Sequence, residues 1–381
     1  MKIALITKRI SSSLGGAERV SLNLAGKLSQ AGHEVHIFTG SLDTPVEGSV
    51  THLVETTKWL SPLRLLSFQR KIRKLLGDER FDLVYSLCQV YPVDIYRVGD
   101  GIHRHWMAVQ YPLALTRWLK YLTSLVHLVM RFLEGRIFSE GNSRFFVTNS
   151  RLVKDQIVEY FHIPGERIKV IYNGVDHNAF NIGVKAYRSD MRRSVGIDEK
   201  DFVILFVSNN WERKGLATII EAISKTGIEN IRLLIVGRGN KRRYISLARD
   251  KKVGSGKIIF TGRTGDVEKY YGMSDIFVLP SRYEPFANVC LEAMACGLPV
   301  ITTKTNGASE IILPGRDGFI RADWRDAIGL AHIIKDMTVE SLRREVGENA
   351  AKTAESYTWE THLEETRRLF DMVVGSASTK Q

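Results

Sequence analysis

Glu284 and Glu292 stand eight positions apart, across the end of an apolar run, a polar loop and the start of a helix. Ile276–Leu279 supplies the run and reads as a buried strand. Pro285 suits the first helical position, where its missing N–H costs nothing, and Gly297 with Pro299 ends the helix. The first N–H groups of such a helix attract an anion, and carboxylates beside it accept hydrogen bonds from hydroxyls. A ligand that is part phosphate and part polyol, such as a nucleotide sugar, fits that arrangement. Two solvated glutamates at an ordinary strand-to-helix junction would show the same spacing. A second anchor is Arg213-Lys214-Gly215, just ahead of a helix that begins near Ala217. Paired cations at a helix N-terminus suit a diphosphate.

The elements around both anchors alternate strand and helix. Phe202–Val207, Ile231–Val236, Ile258–Phe260 and Ile276–Leu279 read as strands in the second half. Lys2–Thr7, Gly32–Phe38, Phe81–Ser86 and Phe145–Thr148 do so in the first, with Asn149 or Ser150 capping the helix after the last. This pattern predicts two doubly wound α/β domains with ligand at the strand carboxyl ends, in the cleft between them. A length of 381 residues is enough for two cores. The longest run without Asp, Glu, Lys or Arg, 105–116, falls short of the roughly 20 residues that span a bilayer. An integral membrane protein is therefore excluded, and Met1–Ile6 carries no signal cleavage site. Cys88, Cys290 and Cys296 have no metal-ligand spacing and read as reduced thiols. A net charge of +12 points to anionic partners.

The Glu-x7-Glu stretch resembles the donor-binding signature of retaining glycosyltransferases of family 4. Here Glu284-Pro285-Phe286 is followed by Ala287, where the family usually has Gly. Gly15-Gly16-Ala17-Glu18-Arg19 is similar to the family's opening loop, and Asn173-Gly174-Val175-Asp176 to its interdomain linker. The resemblance implies a GT-B fold of two Rossmann-like domains facing a central cleft. It divides the chain into an acceptor-binding domain at 1–172, a nucleotide-sugar domain at 173–356 and a C-terminal helix at 357–381 returning toward the first. It also implies that Arg213 and Lys214 contact the diphosphate, Glu292 the ribose hydroxyls, and Glu284, as a catalytic residue, the donor sugar. Gly15, Gly16, Phe286, Ala287, Asn288 and Val289 would complete the donor site. Retention by front-face attack follows from the family. The chain has no Asp-x-Asp, the metal-diphosphate clamp of the other major glycosyltransferase fold, so no metal or other cofactor is expected beside the UDP-sugar donor.

In the first half, Tyr91–Met107 and the basic helix after it are similar to the heptose-directed glucosyltransferases of lipopolysaccharide core. That likeness implies a second catalytic residue, Asp100. Over Tyr111–Phe138, Arg117, Lys120, Ser124, His127 and Arg131 recur at helical spacing, opposite Leu115, Trp118, Leu119, Leu122, Val126, Val129 and Leu133. Such a helix suits an anionic membrane surface, with Arg117, Lys120 and Arg131 facing it; a core helix with a charged outer face has the same pattern. A second basic segment, Lys58–Lys74, reads as a solvated helix face. His103 and His105 lack a third metal ligand. The expectation is a cytoplasmic hexosyltransferase held peripherally at the inner face of the membrane. It would move glucose from a UDP-sugar to lipopolysaccharide core, or another hexose such as mannose to a different lipid-linked glycan or exopolysaccharide. A nucleotide-sugar epimerase shares the architecture. A non-catalytic nucleotide-sugar or nucleic-acid binding protein is the alternative of another class, though no nucleic-acid reader motif interleaves the basic segments.

Overall fold

Apolar runs long enough to be buried on both faces of a sheet become parallel strands in each half of the chain. The structure, a computed structural model, describes residues 1–10, 16–56 and 61–378. Gly15 lies outside the described residues, as does Lys58 of the first basic segment. Contacts divide the chain into two units, Met1–Asn173 with the last helix, and Gly174–Thr358.

The first unit is a seven-stranded sheet built from β1 (Lys2–Thr7), β2 (Glu34–Thr39), β3 (Ser49–Leu53), β4 (Leu83–Ser86), β5 (Val93–Val98), β6 (Ser143–Thr148) and β7 (Ile168–Val170). Their order is β3-β2-β1-β4-β5-β6-β7, all parallel. Its helices are α1 (Gly16–Gln30), α2 (Ser61–Gly77), α3 (His103–Gln110), α4 (Ala114–Thr123), α5 (Leu125–Ile137) and α6 (Arg151–Phe161). Ser150 caps α6, its side chain accepting from the Val153 N–H at 3.2 Å. The second unit repeats the plan with β8 (Phe202–Val207), β9 (Ile231–Val236), β10 (Ile258–Gly262), β11 (Ile276–Leu279), β12 (Val300–Thr303) and β13 (Gly318–Arg321), ordered β10-β9-β8-β11-β12-β13. Around them lie α7 (Arg188–Ser194), α8 (Leu216–Thr226), α9 (Lys241–Asp250), α10 (Val267–Met273), α11 (Asn288–Ala295), α12 (Ala327–Asp336) and α13 (Glu340–Ala354).

The last helix, α14 (Trp359–Ser378), packs on the first unit, burying Leu369, Phe370 and Val373 with the residues of β1, β2 and β4. A polar knot fixes it there. Buried Arg97 donates to Asn173 Oδ1 at 2.6 Å and lies 3.3 Å from His362 Nε2, while His362 Nδ1 reaches the Tyr172 carbonyl at 2.7 Å. Burial holds the His362 pKa down to about 3, so the ring is neutral and serves as acceptor on one side and donor on the other.

One expectation fails on the first unit. The Tyr111–Phe138 pattern is two helices, because Ser124 leaves the helical region (φ −129°, ψ 102°) between α4 and α5. The 3.6-residue periodicity runs through the break without revealing it.

Candidate active site

In the second sheet β8 and β11 are neighbours, and the chain leaves β8 toward β9 but β11 toward β12. Such a switch point opens a crevice outside the strand carboxyl ends. Both anchors lie there: Arg213 and Lys214 in the turn after β8, Glu284 in the loop after β11. Trp211 steadies the turn by donating its indole N–H to the Ser208 carbonyl at 2.9 Å. Gly215 closes the turn at φ +78°, with a hypothetical Cβ only 2.1 Å from the Pro280 oxygen, so glycine alone lets the two loops touch. Arg282 N–H donates to the Arg213 carbonyl at 2.8 Å and joins them.

Arg213 Nη2 lies 3.1 Å from Glu284 Oε2, and Lys214 Nζ contacts the same oxygen. Both cations thus share one carboxylate. The Lys214 side chain is 10% exposed; burial lowers its pKa, with Glu284 pulling the other way. The Glu284 backbone is held as a strand fragment against Asn306, donating to the Thr305 carbonyl and accepting from the Gly307 N–H, each at 2.9 Å.

Asn306 is fully buried and serves four partners. Its Oδ1 accepts from the Ala287 and Ala308 N–H groups at 3.1 Å, and its Nδ2 donates to Thr302 Oγ1 at 2.9 Å and to Cys290 Sγ at 3.4 Å. These bonds hold 284–287 outside the helix, so α11 starts at Asn288 and not at Pro285, where the sequence predicted its start. Ala287 takes φ −85° and ψ 101°, open to any residue, so alanine in the usual glycine position brings no strain.

Glu292 sits one turn beyond Asn288 on α11 and accepts from the Tyr271 hydroxyl at 2.9 Å. Burial first, and Glu292 second, push the Tyr271 pKa well above its usual value, which keeps the hydroxyl a donor. From 271 to 303 every residue is buried except Arg282, Glu284, Asn288, Val289 and Glu292. Phe286 and Ala287 belong to the buried frame. Sequence reasoning missed Asn306 and Tyr271; both act through contacts with residues distant in sequence, for which local spacing gives no signal.

In the first unit Gly16 begins α1, and Asp100 is exposed in the turn after β5. Just beyond it, Glu134 reaches from α5 to accept the backbone N–H groups of His103 and Arg104 at 2.5 and 3.1 Å, capping α3. Burial raises the Glu134 pKa to about 7. His103 and His105 diverge, the first stacking on His127 and the second meeting Tyr160 edge-on. On α4, Leu115, Trp118, Leu119 and Leu122 form an outward apolar stripe, with Trp118 57% and Leu122 60% exposed. Arg117 and Lys120 are half-buried on the opposite side of α4, Arg131 is exposed with its guanidinium over the Tyr121 ring, and α5 buries Val129 and Leu133. An ordinary surface helix does the reverse and hides its apolar side.

The paired sheets belong to the class of doubly wound proteins that bind ligands at a switch point. Residues 14–179 match the family described as Glycosyltransferase Family 4, and residues 188–353 match Glycosyl transferases group 1. An uncharacterized glycosyltransferase of Methanocaldococcus jannaschii, MJ1607, is 28% identical over 98% of this chain and 99% of its own length. Lipopolysaccharide glucosyltransferase WaaG of Escherichia coli is 24% identical over 90% and 91%. A crystal structure of WaaG, a glycosyltransferase involved in lipopolysaccharide biosynthesis, superimposes with a TM-score of 0.83 at 22% identity, covering 98% of this chain and all of the other. Anabaena HepE in complex with UDP and glucose gives 0.72 at 19% identity, over 97% and 99%. The chain belongs to the GT-B glycosyltransferases of family 4 and group 1.

Proposed function

We propose that this glycosyltransferase is retaining and metal-independent, and that it moves glucose from UDP-glucose to a lipid-linked glycan of the lipopolysaccharide-core type. The observation that carries the donor half is the convergence of Arg213 and Lys214 on Glu284 at the switch point. An incoming diphosphate takes the two cations from Glu284. As its bond to the anomeric carbon breaks, charge gathers on the leaving oxygen beside fixed positive groups, so no step calls for a metal ion. Glu284 then faces the donor sugar, and Glu292, aimed by Tyr271, holds the ribose hydroxyls. Asp100 is the catalytic group of the acceptor-binding domain. The acceptor hydroxyl attacks from the face that UDP leaves, giving retention, and its proton passes to the departing phosphate.

The outward stripe of α4 supports a membrane role. Its outward Trp and Leu side chains suit the headgroup boundary and exposed Arg131 suits anionic lipid, while Arg117 and Lys120, expected to face the membrane, are half-buried on the side of α4 away from the stripe. No helix among the described residues is long and apolar enough to cross a membrane. A peripheral position on the cytoplasmic face, where nucleotide sugars are found, fits this reading. Likeness to WaaG supports the acceptor class.

Calorimetric titration with UDP-glucose, UDP-GlcNAc, UDP-galactose, GDP-mannose and ADP-glucose, in the presence of a chelator, tests the donor. Selective binding of UDP-glucose is the expected result. Preference for GDP-mannose would replace glucose with mannose, and a strict need for a divalent ion would overturn the metal-free step.

A further inference from the structure

A second constellation lies at the β2–β3 edge of the first sheet, apart from the switch point between β1 and β4. His36 on β2 and His52 on the edge strand β3 meet Glu79, from the loop between α2 and β4. His36 Nδ1 is 3.0 Å from His52 Nε2 and 3.5 Å from a Glu79 oxygen, and one donor atom of each residue lies within 4.8 Å of the others. Bonds of about 2.0–2.1 Å at tetrahedral angles place ligand atoms roughly 3.3 Å apart. Two of the three separations are near that value, and the third, between His52 and Glu79, is within 4.8 Å, with the loop residue as the one that can close in.

Two further observations set this group apart from a chance cluster. His36 is buried, and its other nitrogen, Nε2, is 2.9 Å from Glu34 Oε1. A carboxylate behind the imidazole fixes the tautomer that turns the Nδ1 lone pair toward His52 and Glu79, the usual support of a metal-bound histidine. The His52 ring is stacked between neighbours, 4.5 Å from Phe38 and 5.2 Å from His36, which fixes its plane. Lys2 contacts Oε1 of Glu34, the oxygen that also meets His36 Nε2, and Oε1 of Glu79, leaving Glu79 Oε2 toward His36. With two neutral imidazoles, two carboxylates and one ammonium, the group has a formal charge of −1 before an ion enters.

We propose that His36, His52 and Glu79 form a structural site for a divalent transition-metal ion of the zinc type, with Glu34 as positioning residue behind His36. Imidazole and carboxylate donors select this class over magnesium or calcium, which prefer all-oxygen shells. Entry requires only that His52 carry its proton on Nδ1, freeing Nε2, and a water completes the shell. The ion ties the edge strand β3 and the α2–β4 loop to β2. It takes no part in sugar transfer.

The test uses the full chain, stripped with a chelator and titrated with zinc by calorimetry and with cobalt(II) by visible absorption. One ion per chain is expected, with the intense bands of four-coordinate cobalt. His52→Ala and Glu79→Gln, both at half-exposed positions where the fold tolerates change, should each weaken zinc at least about tenfold, and Glu34→Gln about 10–100-fold. His52→Cys should keep the ion and shift the cobalt spectrum toward thiolate ligation, which no purely structural role for His52 would do. Absence of stoichiometric binding overturns the proposal, as does binding that survives both His52→Ala and Glu79→Gln. Transfer activity, unchanged in the variants, separates this site from the donor reading.

Discussion

Glu284→Gln probes the shared carboxylate directly. Glutamine keeps the shape and the backbone bridge to Asn306, and removes only the charge that Arg213 and Lys214 divide. Lys214, 10% exposed, is then left beside Arg213 with no carboxylate. Breaking a buried pair costs about 3–5 kcal/mol, and a glutamine oxygen that still accepts a hydrogen bond brings the figure here to about 2. For a unit of this size the melting temperature falls by about 4–8 °C. UDP supplies the missing negative charge and should stabilise the variant more than the parent. In transfer, losing a charged hydrogen bond to the sugar costs about 1.5–3 kcal/mol, or roughly 10–150-fold in kcat/KM. Thermal melts with and without UDP, beside an assay of UDP release, read both effects. A variant that melts with the parent and transfers sugar at full rate would refute the assignment of Glu284. One that UDP fails to rescue would remove the diphosphate from the cation pair.

Gly215→Ala forces a Cβ into the Pro280 carbonyl at a left-handed backbone position, so a loss of about 2 kcal/mol or more and weaker UDP binding are expected; melting and calorimetry check both. Trp118→Ser with Leu122→Ser removes two outward apolar side chains worth about 1.5–3 kcal/mol each on burial, so sedimentation with anionic vesicles should fall by two to four orders of magnitude. Undiminished sedimentation would detach α4 from the membrane. Glu134 has a folded pKa of about 7, above the unfolded value near 4.3, so the folded state holds the extra proton between them. Its contribution to stability is full below about pH 4.3 and is lost as pH rises through 7, by about 4 kcal/mol in all. Glu134→Gln should therefore gain melting temperature relative to the parent from pH 5 to 8, and a constant difference would refute the shift.

The strands were legible because parallel sheets bury both faces, which leaves continuous apolar runs such as Phe202–Val207 and Ile276–Leu279. β3, Ser-Val-Thr-His-Leu, was not, since an edge strand with half-exposed residues carries no such run. Glu284, Glu292, Arg213 and Lys214 stood out by type and spacing, but their pairing did not. The chain brings Arg213 to Glu284 across 71 positions (284 minus 213), and only the strand order puts the two loops side by side. Pro285 misled for a related reason. Local propensity favours it as a helix start, and a buried side chain from Asn306 overrides that preference. Ser124 ends α4 without glycine or proline, so nothing in the residue types marked the break.

The unequal exposure of 271–303 bears on how such an enzyme changes its donor. Buried positions there form a scaffold whose replacement would unsettle the sheet, while Arg282, Asn288 and Val289 are half-buried and stand outside the ion pairs of Glu284; the Tyr271 hydroxyl that meets Glu292 reaches Val289 only at its carbonyl, 3.3 Å away. If the donor lies on this loop as proposed, substitution at these three sites is the route to a changed sugar preference that disturbs the buried frame least. A combinatorial library confined to those codons would search sugar preference while keeping most members soluble and intact, a far smaller space than the loop as a whole.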